Sequence, residues 1–176
     1  MALTLIKEDG TGKVDANAYA NAADGDAYHD GHLYASAWTA AVTASKEAAL
    51  VMATRLIDAQ YQFGGVKLKA TQALQWPRED CHDPDADGWN GGTVAENVVP
   101  KAVIAATCEM ARELLLADRT AAPAGEGLKY QNVGTTQTGY DKSDTRPVIS
   151  RVAQAMLSKY GTLLNRKGGV VRLLRS

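Results

Sequence analysis

Cysteine is scarce in this chain. Among 176 residues only Cys81 and Cys108 carry thiols, far apart and unaccompanied, which excludes a disulfide framework and suits reduced thiols in a cytoplasm. Bulky rings are scarce too: one Phe and three Trp stand against many alanines, so the interior is expected to be helical and rather thin. No run of eighteen apolar residues is present to form a membrane span. "MALTLIKEDG" also lacks the long apolar stretch of a secretory signal, and the sequence therefore predicts a soluble protein that stays where it is made. The length fits one domain with a sizeable core, or a core with extended arms.

Acid is missing from the carboxyl end. From Arg151 onward the charged residues are Arg151, Lys159, Arg166, Lys167, Arg172 and Arg175, whereas residues 76–99 hold Glu79, Asp80, Asp83, Asp85, Asp87 and Glu96 against Arg78. A net charge of −1 hides this gradient. A chain so polarised can meet nucleic acid through its basic end, or an acidic protein surface.

Three helices are predicted by periodicity. "KEAALVMATRLIDAQY", capped by Thr43 or Ser45, places Leu50, Ala53, Leu56, Ile57 and Tyr61 at helical spacing and ends at Gly64 and Gly65. Pro100 opens "KAVIAATCEMARELLLADR", with Ile104, Cys108, Ala111 and Leu115 on one stripe, and Pro147 opens "VISRVAQAMLSKY", with Ile149, Val152, Met156 and Tyr160 inward and Gly161 as its stop. A shorter helix follows a cap at Asn21, with Gly25 counting against it. The expected fold is mainly α: a small helical bundle over residues 1–164, with a protruding β-hairpin or long loop at about 119–146 and an extended tail, 165–176. The hairpin is read from "LKYQNV", Gly134 and "TTQTGY". In the tail Val170, Val171, Leu173 and Leu174 lie between arginines. Burying each is worth roughly 1.5–3 kcal/mol, so they are expected to dock on this subunit or on a partner.

Candidate chemistry is thin. Asp83, Asp85, Asp87 and Gly88 occupy the first, third, fifth and sixth positions of a calcium loop, but the closing Glu is absent: Val94 stands at the twelfth and Glu96 comes late. A series of Asp-rich turns, with weak cation binding at most, is the expectation. "EDGTGK" has the glycines of a phosphate loop without its full spacing, and Val14 stands where a magnesium-holding hydroxyl belongs. His29 and His32 have a metal-ligand spacing with Asp26 and Asp30 nearby, yet Gly31 intervenes and no matching pair is evident. His82 beside Cys81 and Asp83 lacks a third group to orient the imidazole. No catalytic, cofactor or metal residue is assigned, and the chain is not read as an enzyme.

The order "IKEDGTG", "DANAYA", "DAYH", "KEAALVMATRLIDAQYQFGGVK", "QALQWPRED", "DADGW", "VPKAVIAATCEMA", "RPVISRVAQAML" and "GGVVRLLRS" resembles the head-tail connector adaptors, or head completion proteins, of tailed phages. That group often carries a DnaT-like single-stranded-DNA-binding label. The likeness covers nearly the whole chain, and its most specific element is Gln72, Leu74, Trp76, Pro77 and Arg78, for which packing is the simpler role. The resemblance implies a homo-oligomeric ring of about twelve copies in the virion neck, assembled in the host cytoplasm, that joins the portal to the tail or to a stopper or terminator ring. DNA would pass through its channel without specific recognition, with no membrane and no cofactor involved. It implies a portal-docking tail of Arg166, Lys167, Val170, Val171, Arg172, Leu173, Leu174 and Arg175, and arm contacts to the next ring by Lys129, Tyr130, Val133 and Tyr140. The alternative is a single-stranded-DNA-binding module, although the basic end offers only Tyr160 as an aromatic platform.

Overall fold

A computed structural model of the chain describes residues 3–86, 91–121, 130–133, 136–139 and 146–164. The helices are α1 (Ala22–His29), α2 (Ser36–Thr39), α3 (Thr43–Gln60), α4 (Lys101–Leu116) and α5 (Arg151–Leu157). Asn21 starts α1 through a capping box: its side chain accepts the Asp24 N–H while Asp24 accepts the Asn21 N–H. Pro100 is the N-cap of α4, and its carbonyl accepts the N–H groups of Val103 and Ile104. α4 is the central element, packed against α3 on one side and α5 on another, with α1 and α2 also against it. Its buried run from Ala106 to Arg112 explains why so short a core holds together.

Among the described residues eight short strands overturn the mainly helical reading. β1 (Tyr61–Phe63) pairs with β8 (Gly161–Leu163), β2 (Val66–Lys67) with β3 (Arg78–Glu79), β4 (His82–Asp83) with β5 (Gly92–Thr93), and β6 (Tyr130–Val133) with β7 (Thr136–Gly139), all antiparallel. The chain is a helical layer edged by two-stranded ribbons. The physical reason is visible at Tyr61, whose spacing continues the helical stripe: Tyr61 caps α3 in an extended conformation, and Tyr61 and Phe63 then bury their rings on one face of β1 with Gln62 exposed between them. Gly161 likewise begins β8 instead of only ending a helix. The third helix is shorter than its periodicity suggested, because Ser150 caps it by accepting the Ala153 N–H. That start buries Ala153 and Leu157 and leaves Val152 half exposed.

Large rings fill the core where alanine cannot. Trp38 and Trp76 are essentially fully buried. Trp76 meets Phe63 and Tyr160 edge-on at ring centroids of 5.6 and 5.7 Å, joining the β1–β8 ribbon to the segment after β2. The base of the 119–146 arm is closed by Arg119, which donates to the carbonyls of Pro147 (2.7 Å) and Val148 (2.9 Å) and to Glu113 (2.8 Å). The sequence-level domain limits fall partly on this arm and on residues 165–176, and the latter lie outside the described residues.

Gly25 has a packing role inside α1. A Cβ there would sit 2.2 Å from Cζ2 of Trp38, inside van der Waals contact with a ring held by Asp26 and Lys46. Gly25→Ala should therefore destabilise the protein although alanine is about 1 kcal/mol better in a helix, because overpacking costs about 1–3 kcal/mol. The expected result in a thermal melt is a Tm lower by about 2–8 °C; an unchanged or higher Tm would mean that Trp38 gives way freely.

Candidate functional site

The glycine loop after Lys7 already holds an anion, its own. Glu8 is buried, and its carboxylate accepts the N–H groups of Gly10 (3.0 Å), Gly12 (2.9 Å) and Lys13 (2.8 Å). These are the donors that a phosphate would need. Gly10, at φ +99°, is required because a Cβ would meet the Asn97 carbonyl at 1.9 Å. The loop is a turn tied down from within; Glu8 was not singled out from sequence, although an acid just ahead of closely spaced glycines is a usable signal for such a knot.

The histidines do not converge either. His29 is buried; its Nε2–H donates to the Cys108 carbonyl (3.2 Å), its ring lies against Tyr28 and Trp38, and burial lowers its pKa below the usual histidine value. His32 Nδ1 accepts the Tyr34 N–H (3.0 Å), while Nε2 is 3.9 Å from Glu109, a carboxylate already bound by Arg112 at 2.6 Å. Cys81 is buried and its thiol is pushed up by that burial, away from nucleophilic use, and His82 points its polarity to solvent from β4. In the aspartate-rich stretch Asp83 accepts the Asp85 N–H (3.1 Å), an Asx turn, and Asp85 pairs with Lys159. Asp87 and Gly88 lie outside the described residues. Among the described residues no three His, Cys, Asp or Glu side chains gather as a metal cluster.

The Gln72–Arg78 motif is interior. Gln72, Leu74, Trp76 and Arg78 are all buried. The Gln72 amide donates to the carbonyls of Leu74 (2.9 Å) and Pro77 (3.0 Å). Arg78 spreads its guanidinium over the carbonyls of Gly64 (2.6 Å), Gly65 (2.8 Å) and Gln75 (3.0 Å), so its donors are spent on the chain itself. Burial lowers the Arg78 pKa, and nearby Cys81, Tyr19 and Asp58 oppose that. Of the expected arm contacts, Tyr130 and Val133 end strand β6, and Val133 pairs with Thr136 of β7; Lys129 and Tyr140 lie outside the described residues. So do all eight tail positions, Arg166, Lys167, Val170, Val171, Arg172, Leu173, Leu174 and Arg175.

Aliphatic side chains and ion pairs share the outer surface with Arg55, Lys101, Arg146 and Arg151, which are exposed and have no carboxylate partner among the described residues. Leu33 is 91% exposed and Tyr34 beside it 78%, and Val14, Val42, Val66, Leu116 and Leu164 are also exposed. Lys7, Lys13, Lys46 and Lys159 each face a carboxylate, at Asp24, Asp9, Asp26 and Asp85 respectively.

A family model described as "Putative DnaT-like ssDNA binding protein" matches residues 3–176, and the chain belongs to that family. The description agrees with the single-strand-binding reading of the sequence and says nothing of a portal or a ring. No curated protein and no solved structure matches the chain.

One buried polar knot escaped the sequence because its members are far apart in the chain. The Tyr19 hydroxyl donates to Asp58 and accepts the N–H groups of Gln75 (3.1 Å) and Trp76 (3.2 Å), while Asp58 also accepts the Gln75 N–H (3.0 Å). Burial pushes the Asp58 carboxyl up to about 6, against the pull of its hydrogen bonds and of Lys67 and Arg78. A carboxyl raised above its unfolded value stabilises the fold in its protonated form: the contribution is full below about pH 4 and is lost as pH rises through about 6. Asp58→Asn keeps the shape without the titration. Its stability relative to the parent should rise by up to about 3 kcal/mol between pH 4 and 7, read from urea midpoints with m unchanged; a pH-independent difference would place the charge elsewhere.

Proposed function

We propose that this member of the DnaT-like family is a non-enzymatic docking subunit, an adaptor of the tailed-phage neck that forms a ring joining the portal to the tail or to the next connector ring around the DNA channel. The observation that carries the reading is where the rings and the aliphatics lie. A single-strand binder needs aromatic faces in solvent beside unpaired basic groups. Among the described residues Trp38, Trp76, Phe63, Tyr19, Tyr61 and Tyr160 are buried and Tyr34 is the large exposed ring; four lysines are engaged by carboxylates while Arg55, Lys101, Arg146 and Arg151 are exposed without such a partner, so it is the rings that carry the reading. What the surface offers instead is scattered aliphatic area such as Leu33, Val42 and Leu116, which suits protein contacts.

Attachment to the portal belongs to residues 165–176 in this reading, because four aliphatics between arginines at a chain end suit a partner groove. Arm residues 119–146 then meet the following ring, from a base fixed by Arg119. The second reading, single-stranded-DNA binding, is favoured by the family description. Its strongest support in the chain is the acid-free stretch from Arg151 to Ser176.

Two measurements separate them. The full chain should co-sediment with portal rings of its own phage, and a chain ending at Asn165 should lose that attachment while its melting curve is kept; equal attachment of both overturns the docking role of the tail. Fluorescence anisotropy with labelled single-stranded oligonucleotides over a salt series should give binding no tighter than about 10⁻⁴–10⁻⁶ M. Tight binding with a steep salt slope and a defined site size would replace the adaptor reading with the binding module.

A further inference from the structure

Among the described residues the two edges of the β1–β8 ribbon are used unequally. Leu164 N–H bonds the Gln60 carbonyl and Gly64 N–H bonds the Tyr160 carbonyl, so the hydrogen-bonded pairs of this ladder include Gln62 with Thr162. The peptide groups of Tyr61 and Phe63 on one strand, and of Gly161 and Leu163 on the other, therefore point away from each other. On β1 two of the four are used: the Tyr61 N–H bonds the Ile57 carbonyl, and the Phe63 carbonyl accepts from Arg78. On β8 no described residue bonds the N–H or C=O of Gly161 or Leu163. Beside β8 runs a groove of about 470 Å³ toward α5, with Tyr61, Ala155 and Leu163 as its apolar wall and Arg151 as its charged lining residue.

We propose that this groove takes an extended polypeptide segment of a partner protein, added to β8 as a third strand and carrying a carboxylate that meets Arg151. The proposal rests on the docking-subunit reading and supplies one of its contacts. The alternating outward N–H and C=O groups of Gly161 and Leu163 match an extended backbone and no compact ligand. Arg151 is exposed, with no carboxylate partner among the described residues, and selects the charge. Residues 165–176 of this chain bring four more cations and no acid to the same cation, and the acid-bearing strands β3 and β4 of a second copy are already paired. A partner of opposite charge fits better than either.

The test is a titration of the isotope-labelled full chain, followed by amide NMR, with a capped pentapeptide of alternating valine and threonine bearing one aspartate, and with its lysine counterpart. Shifts should concentrate at the Gly161 and Leu163 amides. The aspartate peptide should bind about two- to fivefold tighter, the range expected of an exposed ion pair, and Arg151→Ala should erase that difference while leaving the fold intact. Leu163→Pro, which removes an outward N–H but none that pairs with β1, should abolish the shifts and leave the Gln62 signal in place. Overturning results are no shift at millimolar peptide, equal affinity for both peptides, or β8 amides already protected from exchange in the free chain. Protection independent of concentration would assign the edge to the chain's own tail, and protection growing with concentration to a second copy. Portal co-sedimentation is read separately, so loss of this contact and loss of the adaptor reading are distinguishable.

Discussion

Two buried tryptophans carry the volume that an alanine-rich interior lacks. Helices lined with Ala approach closely, but an interior needs shape to hold one arrangement. Trp38 supplies it at the α1–α2–α4 corner, where Gly25 clears the space and His29 stacks against the ring. Trp76 supplies it at the other end, between Phe63 and Tyr160. Because Trp76 lies in an irregular segment, everything around that segment is arranged to keep it there: Arg78 and Gln72 satisfy carbonyls, and the Tyr19–Asp58 knot holds the N–H groups of Gln75 and Trp76. Irregular backbone this deeply buried is stable only when its polar groups are met by side chains.

The same arrangement shapes what the surface can do. Among the described residues most large rings are committed to the core and several cations are bound to carboxylates or carbonyls, while Arg55, Lys101, Arg146 and Arg151 stay exposed without a carboxylate partner. The described surface also carries aliphatic area and a strand edge, that of β8, to which no described residue bonds. Exposed aliphatics and a free strand edge suit contact with another polypeptide, and the proposed docking role rests on them. The ribbons matter here as much as the helices, since a two-stranded ribbon keeps edges that a helical bundle would not have.

The helices at 101–116 and at 22–29 were legible because their signals are local: a proline just ahead of the first turn and apolar spacing near 3.6 for the one, an Asn21 cap for the other. The end of α3, the longest helix described, was not, since Tyr61 satisfies both the helical stripe and the alternation of a strand, and only its partner β8, about a hundred residues on, decides between them. Val152 was misplaced by one position because Ser150, not Pro147, sets the start of α5. The motif at 72–78 could be found in the sequence, but the remote carbonyl partners of Arg78 could not, as they come from the segment that includes Gly64 and Gly65.

The sequence by itself determined composition, the charge gradient, most helix positions, and the absence of a complete catalytic or calcium-binding pattern, since each is a property of neighbours along the chain. Tertiary structure alone decided that Glu8 occupies its own glycine loop, that Asp58 and Tyr19 share a buried knot, and that no described residue bonds the outer edge of β8. These depend on which remote segments lie together, and pairing across long sequence separations is written in no local period or cap.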